Sequence, residues 1–97
     1  MTYYIDIAEA AEDDVRKAFL WYENQKENLG SIFEKQFDRA LGSIISNPLK
    51  TQIRYESTRV YYLEKFPYGI HFNVTGKLIL ILAVFHTSQD PEKWTGR

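Results

Sequence analysis

The spacing of apolar positions changes period along the chain, and each change marks an element. Tyr3-Tyr4-Ile5-Asp6-Ile7 alternates in residues that favour strands, which predicts a short first strand. From about Ala8 the period lengthens. Ala11, Val15, Ala18, Phe19 and Tyr22 fall at helical spacing, with Glu12, Asp13, Asp14, Arg16 and Lys17 around the other side. The early acids suit the positive end of a helix dipole. Gly30 is expected to end this helix at positive φ. Ser31-Ile32-Phe33-Glu34 then reads as a capping box, in which the Ser oxygen covers a free amide and Glu34 reaches back. Phe33, Phe37, Ala40, Leu41 and Ile44 form the next apolar stripe, and Asn47-Pro48 stops it, because proline disfavours helix at the residue before it. Two amphipathic helices with so short a connection form an antiparallel hairpin.

Residues 49–58 show no clean period and read as a loop or edge segment. Three strands follow, over Arg59–Leu63, Tyr68–Val74 and Leu78–His86. Pro67 belongs at a strand start, and Thr75-Gly76 marks the turn between the last two strands. Ile70, Phe72 and Val74 share one face of their strand, so His71 and Asn73 are expected on the open face of the sheet. Leu78 to Phe85 is apolar on both faces and belongs in the sheet interior. The order is β-α-α-β-β-β. It predicts an α+β domain, an antiparallel sheet with an N-terminal helical hairpin packed on one face.

Composition narrows the function classes. The 97 residues suit one domain. Cysteine is absent, which removes disulfides, thiolate nucleophiles and Cys-based zinc sites together. The longest uncharged apolar run is eight residues, against the ~20 a membrane helix needs, and the early acids do not fit a signal peptide. A cytoplasmic protein without membrane contact is expected. Residues 1–48 hold five Lys/Arg against nine Asp/Glu, and residues 49–97 hold seven against four. An acidic helical layer and a mildly basic sheet layer follow. A sequence pI near 6.1 argues against dominant phosphate-backbone binding. Two histidines and no cysteine are a poor ligand set, and no phosphate-binding glycine loop is present, so neither metal nor cofactor is expected.

The order of elements, the FPYGIHF strand and, above all, ILAVFHTSQDPEKW with a terminal Arg97 resemble the RelE/ParE superfamily of toxins from type II toxin–antitoxin, or plasmid stabilisation, systems. Ala11…Asp14-Val15, Trp21-Tyr22, Leu29-Gly30 before Phe33, and Asn47-Pro48 fit as well. The likeness covers nearly the whole chain, so residues 1–97 are expected to form a single RelE/ParE-like toxin domain. The resemblance implies growth arrest by one of two activities. ParE-like members bind and poison DNA gyrase. RelE-like members enter the ribosome and cut mRNA without a metal. It also implies a small cognate antitoxin as partner. A solitary module that only binds an antitoxin is a third possibility.

Metal-free RNA cleavage needs a base for the 2′-OH, an acid for the leaving oxygen and cations for the phosphorane charge. His86, Arg59 and Arg54 are the catalytic candidates under the RelE-like reading, with Tyr61 or Tyr62 as auxiliary donors. His86 ends the apolar strand and opens the polar cluster, but it could equally pin the C-terminal tail. Arg59 could bind phosphate or stand as an ordinary strand-end charge. His71, Asn73, Lys65, Gln89 and Arg97 are candidates for target contact. Trp21 and Tyr22 are candidates for lining an antitoxin groove, against a plain packing role. Asp90 and Trp94 read as architectural. An uncovered apolar groove would also allow a homodimer. Gln89 stands where a frequent family form has an Arg before the Asp, so one phosphate ligand is missing. Together with the mildly acidic pI, this favours the ParE-like, gyrase-directed reading.

Overall fold

The computed structural model describes residues 2–88. The chain opens with β1 (Tyr4–Ile7), followed by two helices, α1 (Glu9–Gln25) and α2 (Leu29–Ser46). A 3₁₀ turn over Pro48–Lys50 leads into β2 (Ile53–Tyr55), β3 (Thr58–Tyr62), β4 (Tyr68–Thr75) and β5 (Leu78–His86). The five strands form one sheet in the order β1-β5-β4-β3-β2. The α+β architecture with a helical hairpin is the one the sequence predicts. Two features extend it. β1 pairs with β5 in parallel, so the sheet is mixed. Part of the segment read as loop or edge is a three-residue edge strand, β2, whose register with β3 shifts between Ile53 and Tyr55.

β5 lies between β1 and β4, as its two-sided apolar composition requires. Ile79 and Ile81 are fully buried, as are Ile70 and Phe72 on β4 and Phe33 on α2. Each such side chain contributes roughly 1.5–3 kcal/mol relative to exposure. Tyr22, Phe33, Phe66 and Tyr68 form a ring cluster. Tyr22 meets Phe66 at 4.9 Å between centroids, and Phe33 meets Phe66 and Tyr68 at 5.2 Å. These edge-to-face contacts lock both helices onto the β4 end of the sheet.

The helix junction differs from the sequence expectation in an instructive way. The left-handed residue is Asn28 (φ 70°), and Gly30 lies in the first turn of α2. Asn tolerates that conformation because its short polar side chain bonds locally. Ser31 and Glu34 do not build a capping box, since α2 already starts at Leu29. Glu23 of α1 takes over that work. Its two carboxylate oxygens accept the Asn28 and Gly30 amides, each at 3.0 Å. One side chain thus caps α2 and ties it to α1. Gly30 is glycine for space. A Cβ there would lie 2.6 Å from the Phe19 carbonyl oxygen and 2.9 Å from the Phe19 ring.

The two helical glycines therefore respond oppositely to alanine. Gly30→Ala forces the helices apart and is expected to destabilise the fold by about 1–3 kcal/mol. Gly42 in α2 has open space around its missing Cβ, so Gly42→Ala is expected to stabilise by about 0.5–1 kcal/mol. Urea unfolding midpoints of the two variants check both signs.

Candidate functional site

β1 ends where α1 begins, and the Ala8 amide donates to the Ile81 carbonyl at 2.9 Å. β5 runs five residues further, to His86. Along that stretch α1 lies beside the strand in place of a partner strand. Asp14 on α1 accepts the Val84 amide at 3.0 Å. Between the helix and the ends of β4 and β5 opens a cleft of about 730 Å³. Asp14, Lys17, Trp21 and Tyr22 line its helical side, and Tyr68 and His86 its sheet side.

The walls are aromatic. Trp21 is 57% exposed and stands perpendicular to Tyr22, with 5.0 Å between ring centroids. Tyr68 lies 6.1 Å from Tyr22, and His86 meets the Tyr68 ring edge-on at 5.2 Å. Burial pushes the Tyr22 hydroxyl above its ordinary pKa near 10. Tyr68 is raised in the same direction, first by burial, then by the neighbouring Tyr22 and Asp14. The Ser88 backbone amide donates to His86 Nδ1 at 3.0 Å, and the Ser88 hydroxyl lies 2.7 Å from the same atom. An amide can only donate, so Nδ1 carries its lone pair and the proton of the neutral ring sits on Nε2.

His71 lies on the other side of the sheet. It was expected on an open face but is only 1% exposed. Its Nδ1 is 2.8 Å from the Tyr55 hydroxyl, and its ring meets Phe85 at 5.0 Å. β2 is the reason, because this edge strand swings Tyr55 over the middle of the sheet. Burial also raises the Tyr55 pKa, and Glu56 adds to the rise while a bond with Thr58 opposes it. Asn73, two residues on, is half-buried.

The cationic candidates are dispersed. Arg59 is committed to backbone: its guanidinium donates to the Thr51 carbonyl at 2.5 Å and to the Leu49 carbonyl at 3.3 Å. It anchors the segment leading into β2. Arg54 on β2 is exposed, with its guanidinium 5.7 Å from the Tyr62 ring centroid. Lys65 stands on the β3–β4 connection, beside Arg39 and Tyr61 in a smaller cleft of about 310 Å³. His86 and His71 thus occupy opposite faces, and neither Arg54 nor Arg59 lines the cleft that holds His86. Gln89 and Arg97 lie outside the described residues, as do Asp90 and Trp94. Among the described residues no group of three or more His, Asp or Glu is placed to hold a metal ion, and no helix is long and apolar enough to cross a membrane. Trp21 and Tyr22, named from the sequence, do come together in one cleft. Asp14 and Tyr68 line it with them and were not among the candidates named from the sequence. Asp14 read as one of several surface acids in the first helix, and its bond to Val84 spans 70 positions.

Fold and cleft define a class, and the comparisons name it. Residues 5–91 match the family described as the ParE toxin of type II toxin–antitoxin system, parDE. The chain belongs to that family, within the RelE/ParE superfamily of toxins. No curated protein matches it. Among solved structures, the chromosomal ParDE system of P. aeruginosa superposes with a TM-score of 0.74 at 16% identity, covering 90% of this chain and 98% of that one. The intact E. coli RelBE toxin–antitoxin complex gives 0.67 at 20% identity, covering 90% and 99%. E. coli YafQ gives 0.59 at 15% identity, covering 89% and 94%. At such identities the likeness is one of fold.

The raised tyrosine pKa values set a pH limit on stability. The folded state holds these phenolic protons more tightly than the unfolded chain does. Stability is therefore intact below about pH 10 and falls as pH rises through and beyond the ordinary tyrosine value. Urea midpoints measured from about pH 8 to about pH 11 should show this fall, and Tyr68→Phe should make it shallower.

Proposed function

We propose that this protein is the growth-arresting toxin of a type II toxin–antitoxin pair, acting by contact with DNA gyrase and silenced by a cognate antitoxin seated in the α1–β5 cleft. The observation that carries the reading is the match to the ParE toxin family over residues 5–91. Membership gives the toxin role, and the gyrase target is the family-level reading closest to this chain. The placement of polar residues supports it. An RNA-cleaving centre needs a base, an acid and cations around one phosphate. Here His86 and His71 lie on opposite sides of the sheet, and Arg59 is spent on the carbonyls of Thr51 and Leu49. A protein-contact toxin has no such need.

The antitoxin part rests on the cleft. Trp21 is a large, exposed aromatic beside a strand whose outer edge outruns β1. Such a site suits an amphipathic helix or an added strand from a small partner. The target-facing surface in this proposal is the rim of the reverse sheet face, with Arg54, Tyr62 and Asn73, and with Lys65 on the β3–β4 connection; Gln89 and Arg97, the other candidates for target contact, lie outside the described residues.

The decisive experiment is gyrase supercoiling with purified toxin. Inhibition relieved by the product of the neighbouring antitoxin gene is the expected result. Supercoiling untouched at large molar excess, together with codon-positioned mRNA cuts on toxin induction, would transfer the protein to the ribosome-dependent class. Trp21→Ala should weaken antitoxin capture by about tenfold or more while leaving gyrase inhibition in place, as expected for truncating a central aromatic anchor. Titration calorimetry and the supercoiling assay measure the two effects separately.

A further inference from the structure

We propose that the smaller cleft, between α2 and the β3–β4 connection, binds the phosphate monoester of a small sugar, with Arg39 and Lys65 as phosphate ligands and Glu64 as acceptor for a sugar hydroxyl. This cleft shares no lining residue with the one between α1 and β5, and its ligand does not depend on the toxin reading.

Helical spacing brings Arg39, Ala40 and Ser43 to one side of α2, and all three line the cleft. Tyr61 of β3 lines it from the sheet. It pairs with Ile70, which is fully buried, and its ring packs on the core cluster, so that wall is fixed. Ala40 and Leu63, both buried, give the cleft its apolar part. Arg39 and Lys65 bring positive charge from two separate elements, against a single acid on the lining, Glu64. Arg59 is spent on the carbonyls of Thr51 and Leu49. Arg39 and Lys65 are not: both are exposed, and among the described residues neither side chain is held by an ion pair or a hydrogen bond. Each long stem is therefore free to turn its charge into the cleft.

This inventory selects the ligand. A guanidinium fork and an ammonium converging from two sides suit a phosphate, whose several oxygens accept from both. The Tyr61 hydroxyl can add a donor. So can the Ser43 hydroxyl, which donates to the Arg39 carbonyl at 3.4 Å, a long bond that a ligand oxygen can replace. Glu64 works against a bare phosphate, because like charges would share the cleft. It favours a phosphate that carries hydroxyl groups, since a carboxylate can only accept. The volume of about 310 Å³ stands at the small end of small-molecule sites and fits a sugar phosphate.

NMR titration of the full chain with ribose phosphate, inorganic phosphate and ribose tests the site, followed at the Tyr61 ring and the Arg39 side-chain N–H. Ribose phosphate is expected to bind saturably, about threefold or more tighter than inorganic phosphate, with ribose causing no shift. Arg39→Gln and Lys65→Gln should each weaken ribose phosphate by about threefold or more. Lys50→Gln, which removes an exposed charge outside this cleft, should leave it unchanged. Glu64→Ala should tighten inorganic phosphate and abolish the advantage of the sugar. All four positions are exposed, so the variants keep the fold. Ribose phosphate that fails to saturate overturns the proposal. So does a loss in Lys50→Gln as large as that in Lys65→Gln, which would mark diffuse attraction to surface charge. An unchanged ratio of the two phosphates in Glu64→Ala overturns the assignment of a sugar-bearing ligand. Neither gyrase nor an antitoxin enters the measurement, so failure here leaves the toxin reading where it stands, and failure of that reading leaves this site.

Discussion

The molecule turns on a mismatch in length between two neighbouring strands. β5 has nine residues and β1 only four, so the outer edge of β5 loses its strand partner after Ile81. A backbone amide left buried and unpaired costs about 1–3 kcal/mol. Asp14 meets that demand by accepting the Val84 amide. The bond holds α1 alongside the strand end, at the width of a side chain and no closer. The gap that remains is the cleft. Its aromatic walls are also its fasteners, because Tyr22 and Tyr68 face the cleft and reach into the Phe33–Phe66 cluster at once. Cleft wall and core therefore share residues.

The same sheet separates the polar chemistry into two compartments. On the helical side His86 sits among rings, with its Nδ1 committed to Ser88. On the reverse side His71 is sealed beneath Tyr55 and Phe85. Arg59 holds down the segment between α2 and β2. Each of these three groups has a structural contact, and those contacts keep them apart. The fold itself does not choose a function, since one scaffold hosts unrelated functions. ParDE and RelBE structures both superpose on this chain, with TM-scores of 0.74 and 0.67.

Helix packing shows how one site can satisfy several constraints. Glu23 caps α2 through the Asn28 and Gly30 amides, and the absent side chain of Gly30 lets α2 touch the backbone of α1 at Phe19. Close approach and shared capping make the hairpin a rigid unit. That rigidity gives the cleft one fixed wall, on which Asp14, Lys17 and Trp21 keep their spacing.

Much was legible in the residues themselves. The apolar periods gave both helices, the Asn47-Pro48 stop, the Thr75-Gly76 turn and the interior position of Leu78–Phe85. These features depend on neighbours in sequence, and side-chain period and backbone stereochemistry report them directly. Other features belong to the tertiary structure. Alternation in Tyr3–Ile7 does not encode a direction, so the parallel pairing of β1 with β5 could not be read from it. β2 is too short and too irregular to show a period, yet it carries the Tyr55 that buries His71. Gly30 looked like a helix terminator, and only the crossing of two helices reveals that it is needed for space. Asp14 resembled any surface acid until the fold brought Val84 beside it. Local sequence determines which elements form and which faces are apolar. Which polar atom meets which depends on strand lengths and helix crossings, and those are settled only when distant segments pack together.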